Sequence, residues 1–304
     1  MQQHTLHTSF CLAGKGLHTG LFIHACFLPA PVGTGVRICR TDLPGQPCYE
    51  ALADYVSATE RGTVLENGAW RVSTVEHALS ALYALGVSNC LIELDAPEMP
   101  ILDGSARPFA EAVLHAGIDE QPAPRKRFAV KQTVTFDNGH GSSITLTPAD
   151  SFSLEVGIGF PSPVLGSQSA GLDSLEDYAG AIAPARTFVF LREVQPLLQM
   201  GLIKGGDLQN AVVIYDQPLE QTELDRMADT MHQPRLDAAR LGYLTPLLFD
   251  NEPARHKLLD LLGDLSLLGA AIQGKVTAVR PGHSINTAFC RQLRQLMTAS
   301  TETN

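Results

Sequence analysis

Two segments of the chain share one layout, and this repeat constrains the fold more than any other feature of the sequence. Residues 75–94 and 254–279 each place a histidine at the start of a helix rich in Leu and Ala. Each predicted helix ends near a glycine and runs into an apolar strand. Short runs broken by turn residues precede both segments, as expected for strands. The sequence therefore predicts two similar halves that contain both helices and sheets.

The segment 119–127 (DEQPAPRKR) is the predicted boundary between the halves. It combines two prolines with a charge cluster between apolar runs, which is typical of a linker. We expect an N-terminal domain over residues 1–124 and a C-terminal domain over residues 125–304. A repeat of this kind can bring both helix starts to one shared interface, where active sites are common.

Composition excludes several classes of protein. With 44% hydrophobic and 18% charged residues, the chain is globular and not disordered. A net charge of -10 argues against a nucleic-acid partner. No apolar run approaches the roughly 18 residues that span a bilayer, and the N-terminus does not look like a leader. Six cysteines without a CxxC pair read as reduced thiols, so we expect a cytoplasmic protein.

Local patterns predict several elements. A hairpin is expected over Glu66-Asn67-Gly68, and the next helix has Ser73 and Thr74 as candidate caps and Gly86 as its stop. Two further helices are predicted over residues 233–241 and 287–297. The stretch 220–250 shows little other periodicity, and we interpret it as a mobile or inserted segment.

His256, Asp260 and Asp264 are spaced by four residues in an apolar run. On a helix this spacing puts them on one face, so an imidazole and a carboxylate can meet at one point. Such a pair is more often a surface hydrogen bond. With His77 as a third ligand, however, the set suits a catalytic zinc ion whose fourth position holds water.

Other polar residues complete a possible acid–base site. Glu76 adjoins His77 and could accept a proton from that water, although it could equally only cap its helix. His283 follows a strand and could donate a proton, with Asp264 holding it in the right tautomer. Thr187 reads as structural as readily as functional, and His18 lies in a turn where a histidine is commonly just solvated.

The motifs GKGLHTG, STVEHALSAL, DAPEMPILDGSA, ARTF, RHKLLDLLGDL and GHSIN occur in this order. Together they resemble the UDP-3-O-acyl-N-acetylglucosamine deacetylases over about residues 5–296. The resemblance implies an α+β fold of two similar α/β sandwich domains, with sheets outside and helices packed between them. It also implies a zinc-dependent hydrolase that releases acetate from UDP-3-O-acyl-N-acetylglucosamine to give UDP-3-O-acyl-glucosamine, the committed step of lipid A biosynthesis in Gram-negative bacteria.

The resemblance also assigns roles to residues. It implies Zn²⁺ ligation by His77, His256 and Asp260, with Glu76 as general base and His283 with Asp264 as the acid or electrostatic pair. It implies that Thr187 contacts the tetrahedral intermediate and that Lys257 binds substrate. For the acyl-chain tunnel we expect Phe188, Phe190, Ile203 and Ala211, which could instead be plain core. Gly206 is a further expected substrate-binding residue.

This chain departs from the family pattern at two places. Phe160 is the expected stacking surface for uracil. Where the family often has an acidic residue before this phenylalanine and a His-Pro after it, this chain has Gly159 before it and Pro161-Ser162-Pro163 after it. The stretch 220–250 is longer than the family leads us to expect. A zinc amidohydrolase acting on a different acyl-amino sugar is the alternative function, while a non-enzymatic scaffold and a nucleic-acid-binding sandwich fit less well. We expect a monomer.

Overall fold

A computed structural model describes residues 1–231, 234–235 and 237–302. The strands are β1 (Gln2–Leu6), β2 (Phe10–Lys15), β3 (Phe22–Pro29), β4 (Val36–Arg40), β5 (Cys48–Glu50), β6 (Val56–Ala58), β7 (Val64–Asn67), β8 (Trp70–Val72), β9 (Cys90–Leu94), β10 (Ile118–Pro124), β11 (Arg127–Ala129), β12 (Val134–Asp137), β13 (Ser143–Thr147), β14 (Phe152–Gly159), β15 (Ser167–Leu172), β16 (Phe188–Phe190), β17 (Val212–Tyr215), β18 (Gly242–Tyr243) and β19 (Ala271–Val279). The α-helices are α1 (Glu76–Ala84), α2 (Arg107–Ala116), α3 (Tyr178–Ala181), α4 (Leu191–Gln199), α5 (Gln221–Met231), α6 (Glu252–Ser266) and α7 (His283–Glu302).

Two open sheets repeat one strand order. The first runs β2-β3-β9-β4-β5, and the second runs β12-β13-β19-β14-β15 with β11 also beside β19. In each sheet the middle strand is the one that follows α1 or α6, and it is antiparallel to one neighbour and parallel to the other. The predicted repeat is therefore confirmed in topology, and the mixed α+β class with it.

The helices α1 and α6, one from each half, pack against each other. α1 contacts α6 and α2, while α6 also contacts α7 and the sheet strands β14 and β15. Every residue of α1 is buried, as expected for a helix covered on all sides. The starts of both helices, and the polar side chains on them, consequently lie inside the molecule.

Gly263 sets how closely α1 and α6 approach. A Cβ atom at this position would lie 2.2 Å from the backbone carbonyl oxygen of Glu76. Only a residue without a side chain allows this contact. Because Glu76 and His77 begin α1 and Asp260 and Asp264 lie on either side of Gly263, the contact brings the polar groups of both helices together.

A smaller layer stands beside the two sheets. The strands β16, β17 and β18 form a three-stranded sheet in that order, and α4 and α5 follow β16 and β17 in the chain. A separate apolar cluster lies here, and its buried members are Leu191, Val194, Leu197, Ile203, Val213, Tyr215 and Leu224. Within the described part of the chain, none of the helices is long and apolar enough to cross a membrane.

Several local predictions are wrong or shifted. Neither predicted cap is the N-cap of α1: that residue is Val75, and the Thr74 hydroxyl instead donates to Glu98. Most of the predicted linker is the strand β10, which pairs with β1; its prolines fit because a two-stranded ribbon leaves unpaired edge positions. The division at residue 124 stays a prediction.

The helix expected over residues 233–241 is also misplaced. Residues 237–241 form a turn and irregular chain, residues 233 and 236 lie outside the described residues, and the helix in this region is α5. The hairpin of β7 and β8 and the C-terminal helix α7 are confirmed.

The cysteine prediction is wrong for four residues. Cys11 is disulfide-bonded to Cys26, and Cys39 to Cys48, whereas the other two cysteines are free and buried. Each bonded pair lies directly opposite across neighbouring antiparallel strands, which brings the sulfur atoms within bonding reach. The sequence spacing alone does not reveal this register.

Candidate active site

His77, His256 and Asp260 form a buried group with the composition of a metal centre. One potential ligand atom from each lies within 4.8 Å of the others. Asp260 Oδ1 is 3.3 Å from His256 Nε2 and 3.8 Å from His77 Nε2. The structure therefore brings together the three ligands that the sequence predicted, from α1 and α6.

The protonation of these groups fits a cation. Burial, assisted by the neighbouring His256, lowers the pKa of His77 to about 3, and burial also lowers the pKa of His256. Burial opposes ionisation of Asp260, but His256, Lys257 and His283 together hold its pKa below the ordinary value. Two neutral imidazoles and a carboxylate are the donor set that zinc prefers.

Hydrogen bonds orient two of the three ligands. His256 Nδ1 lies 3.0 Å from the carbonyl oxygen of Ala185, and this contact fixes the proton on Nδ1 and leaves the lone pair of Nε2 able to bind a metal ion. Lys257 Nζ donates to Asp260 Oδ2 at 2.6 Å. Asp260 Oδ1 therefore remains to face the imidazoles.

Glu76 lies beside this group, and the pKa of its carboxyl is raised above the usual value. Its Oε1 is 3.9 Å from His283 Nε2, and its Oε2 accepts a hydrogen bond from the backbone N–H of Thr63 at 3.1 Å. Burial, against the opposing effect of His283 and with help from Asp260 and Asp264, raises the pKa of Glu76 to about 7. A carboxylate with this pKa can exchange a proton near neutral pH.

His283, at the start of α7, and Asp264, on α6, lie close to Glu76. His283 Nδ1 lies 3.0 Å from Asp264 Oδ2, and His283 Nε2 points toward Glu76 and Asp260 at 3.9 and 3.8 Å. Burial alone would lower the pKa of His283, but the carboxylates of Asp264, Glu76 and Asp260 raise it to about 9. The imidazole is therefore held as a cation at neutral pH.

The site opens into a pocket with polar and aromatic walls. Lys257, Thr187 and Arg280 line it together with the aromatic residues Phe160, Phe188 and Phe190. The ring of Phe160 packs against those of Phe188 and Phe190, with centroids 5.7 and 5.4 Å apart. Of the two departures near Phe160, Ser162 is buried and its hydroxyl accepts a hydrogen bond from the N–H of Leu165, so it supports the turn.

A second pocket adjoins the first and is mostly apolar. Leu17, Arg61, Thr187 and Phe188 border both pockets. Ile203 and Ala211, which were expected in the acyl-chain tunnel, line the second pocket. Gly206, expected to bind substrate, and His18 line it too. Phe190 instead lies on the polar pocket. Three side chains of α5, from the stretch whose role the sequence did not disclose, also line the apolar pocket: Leu224, Met227 and Ala228.

Comparison with known proteins places the chain in a family. The sequence model of the LpxC family, described as UDP-3-O-acyl N-acetylglycosamine deacetylase, matches residues 3–239 and 236–295. The chain belongs to this family.

Curated relatives of the family cover almost the whole chain. A bifunctional enzyme LpxC/FabZ of Porphyromonas gingivalis is 54% identical over 97% of this chain and 64% of its own length. A protein of the same name from Bacteroides thetaiotaomicron is 49% identical over 97% of this chain and 65% of its length. A UDP-3-O-acyl-N-acetylglucosamine deacetylase of Myxococcus xanthus is 39% identical over 96% and 86%. The chain thus spans slightly less than two thirds of the bifunctional relatives.

Two residues that support the site in this family member were not predicted. The hydroxyl of Thr63 donates to Asp264 Oδ1 at 2.5 Å, while its backbone N–H donates to Glu76. Asn286 Nδ2 donates to Asp264 Oδ2 at 2.9 Å. Asn286 lies in the GHSIN motif and one helical turn after His283, which is a usable signal. Thr63 carries no such signal, because its partners are distant in sequence.

Proposed function

We propose that this chain is a zinc-dependent deacetylase that removes the N-acetyl group of UDP-3-O-acyl-N-acetylglucosamine, the committed step of lipid A biosynthesis. The observation that carries the proposal is the convergence of His77, His256 and Asp260 beside Glu76 and His283. Membership of the deacetylase family and the adjoining apolar pocket support the same substrate.

The residues divide the reaction between them. His77, His256 and Asp260 would hold Zn²⁺, which supplies a Lewis acid that polarises the amide carbonyl and lowers the pKa of water. Glu76 accepts a proton from the attacking water while the water oxygen forms a bond to the carbonyl carbon of the acetyl group. The carbon–nitrogen bond then breaks, and His283 gives its Nε2 proton to the departing amine. In the alternative, His283 stays a cation that stabilises negative charge, and the proton on Glu76 passes to the amine.

The neighbouring groups position His283 and bind the substrate. Asp264 accepts from His283 Nδ1 and so aims Nε2 at the reacting centre. Thr187, which lines both pockets, would contact the tetrahedral intermediate. Lys257 and Arg280 supply positive charge for the diphosphate, and Phe160 offers a ring face for uracil. The acyl chain would then lie in the apolar pocket past Phe188.

A zinc amidohydrolase acting on a different acyl-amino sugar would use the same catalytic residues. The apolar pocket favours a substrate with a long acyl chain, because filling it removes apolar surface from water. The test is acetate release from UDP-3-O-acyl-N-acetylglucosamine and from UDP-N-acetylglucosamine, which lacks the acyl chain. We expect rapid release from the first alone, and equal rates would contradict the substrate assignment.

Other expectations stay predictions. These are the monomeric state, the domain boundary at residue 124 and the cytoplasmic location. The argument for a cytoplasmic location from reduced cysteines no longer holds, because four of the six cysteines form disulfides.

A further inference from the structure

The helix α5 and its flanks occupy the stretch that the sequence left without a role. Leu224, Met227 and Ala228 are spaced by three and four residues and so share one face of this helix. All three line the apolar pocket, and Leu224 and Ala228 are buried. Their face lies against the apolar cluster to which α4 contributes Leu191 and Val194. The inner face of α5 is therefore a wall of the pocket.

This wall is anchored to the fold by polar contacts. The hydroxyl of Tyr215, at the end of β17, donates to the carbonyl oxygen of Ala238 at 2.9 Å and accepts from the N–H of Leu219 at 3.1 Å. Arg235 forms ion pairs with Asp225 and Asp229 on α5. The chain before and after α5 is thus fixed to the same tyrosine, and the residues after α5 are tied back onto it.

The wall stands away from the catalytic groups. Leu17, Arg61, Thr187 and Phe188 border both pockets and form the opening between them, whereas the residues of α5 border only the apolar pocket. Because that face borders the apolar pocket and not the polar one, a chain entering past Thr187 and Phe188 would reach it with the carbons farthest from the reacting amide. The position of that face therefore limits how many carbons fit.

We propose that Leu224, Met227 and Ala228 of α5 determine the length of the acyl chain that the site accepts. The inference rests on the proposed function, since it names the feature that selects among its substrates. One methylene in an apolar pocket changes kcat/KM by about 10- to 200-fold. Replacing one side chain of α5 should therefore produce a measurable shift in chain-length preference.

The test uses two substitutions of opposite sign on the full chain. Ala228→Leu adds three carbons to the wall, and Leu224→Ala removes three. Acetate release is measured with UDP-3-O-acyl-N-acetylglucosamines whose chains increase in two-carbon steps. We expect Ala228→Leu to lower kcat/KM at least ~10-fold for the longest chain that the unaltered protein uses well, with little effect on shorter chains. Leu224→Ala should shift the preference toward longer chains.

Thr222→Leu is the matched control, because residue 222 is exposed on the same helix and does not line the pocket. Its chain-length profile should equal that of the unaltered protein. Identical profiles for Ala228→Leu, Leu224→Ala and the control would overturn the proposal.

Direct binding of saturated free fatty acids of the same lengths, measured by calorimetry, tests the wall without catalysis. The longest fatty acid bound should become shorter in Ala228→Leu, and an unchanged limit would contradict the proposal even in an inactive variant. If the unaltered protein released acetate from none of these substrates, whatever the chain length, the proposed function itself would be refuted.

Discussion

Replacing Gly263 by alanine tests whether close contact between α1 and α6 assembles the site. The added Cβ would lie 2.2 Å from the carbonyl oxygen of Glu76 and 2.8 Å from its carbonyl carbon. Non-bonded atoms normally stay about 3.5 Å apart, so the helices must separate by about 1 Å. The obstacle is backbone and cannot rotate away. We expect Gly263→Ala to move Glu76 and His77 away from Asp260.

Two opposing effects set the magnitude. Overpacking a core typically costs about 1–3 kcal/mol, while alanine stabilises a helix by about 0.5–1 kcal/mol relative to glycine. Because the clash is with a fixed carbonyl, the upper part of the first range applies, and the net loss is about 2 kcal/mol. The entropy of unfolding is about 2.1 cal/mol/K per residue, or about 0.6 kcal/mol/K for the 304 residues of the chain. The midpoint of thermal unfolding should therefore fall by about 3 °C. A displacement of about 1 Å in an active site can cost about 10²-fold in rate.

The assay combines thermal unfolding with acetate release from UDP-3-O-acyl-N-acetylglucosamine. Gly180→Ala is the matched control, because Gly180 is also helical and a Cβ there would meet nothing within 4 Å. The control should keep its activity, and its unfolding midpoint should stay the same or rise slightly, because alanine favours a helix over glycine. A Gly263→Ala protein with the stability and turnover of the control would refute the idea that this contact positions the site.

Three further predictions concern the catalytic groups. Asp260→Ala should lose both metal and activity, and stoichiometric zinc in the purified variant would remove Asp260 from the ligand set. Glu76→Gln should keep its metal but lose at least ~10²-fold in turnover; near-normal turnover would leave Glu76 as a structural residue. The pH–rate profile should be bell-shaped, because Glu76 must be deprotonated and His283 protonated. Their pKa values are raised to about 7 for Glu76 and about 9 for His283. A bound cation lowers both pKa values, so the acid limb should lie below pH 7 and the alkaline limb below pH 9. Asp264→Asn removes a charge that raises the pKa of His283, so the alkaline limb should move to lower pH; an unmoved limb would contradict the pairing.

The sequence predicts the parts of the site that lie on one element. The four-residue spacing of His256, Asp260 and Asp264 is a local property of a helix, and the structure has all three on α6. The repeat of helix and strand could also be predicted from the sequence, because hydrophobic periodicity indicates which face of an element is buried. Bringing His77 to the same point depends on packing between distant helices, which the repeat and the family resemblance suggested but which helical spacing alone could not show.

Features made by distant contacts were missed. Thr63 links Glu76 to Asp264 through two hydrogen bonds, yet it reads as an ordinary strand-edge residue. The pairing of Cys11 with Cys26 depends on a strand register that the sequence does not state. The helix α5 was placed too late in the chain, because its apolar face is only three residues wide and most of its surface is polar.

Metal dependence of acetate release tests the central claim most directly. The protein is treated with a chelator, assayed with UDP-3-O-acyl-N-acetylglucosamine, and assayed again after stoichiometric zinc is added back. We predict that activity disappears with the chelator and returns with zinc, and that Asp260→Ala shows no recovery at the same zinc concentration. Full activity in the metal-depleted protein would contradict a catalytic metal held by His77, His256 and Asp260.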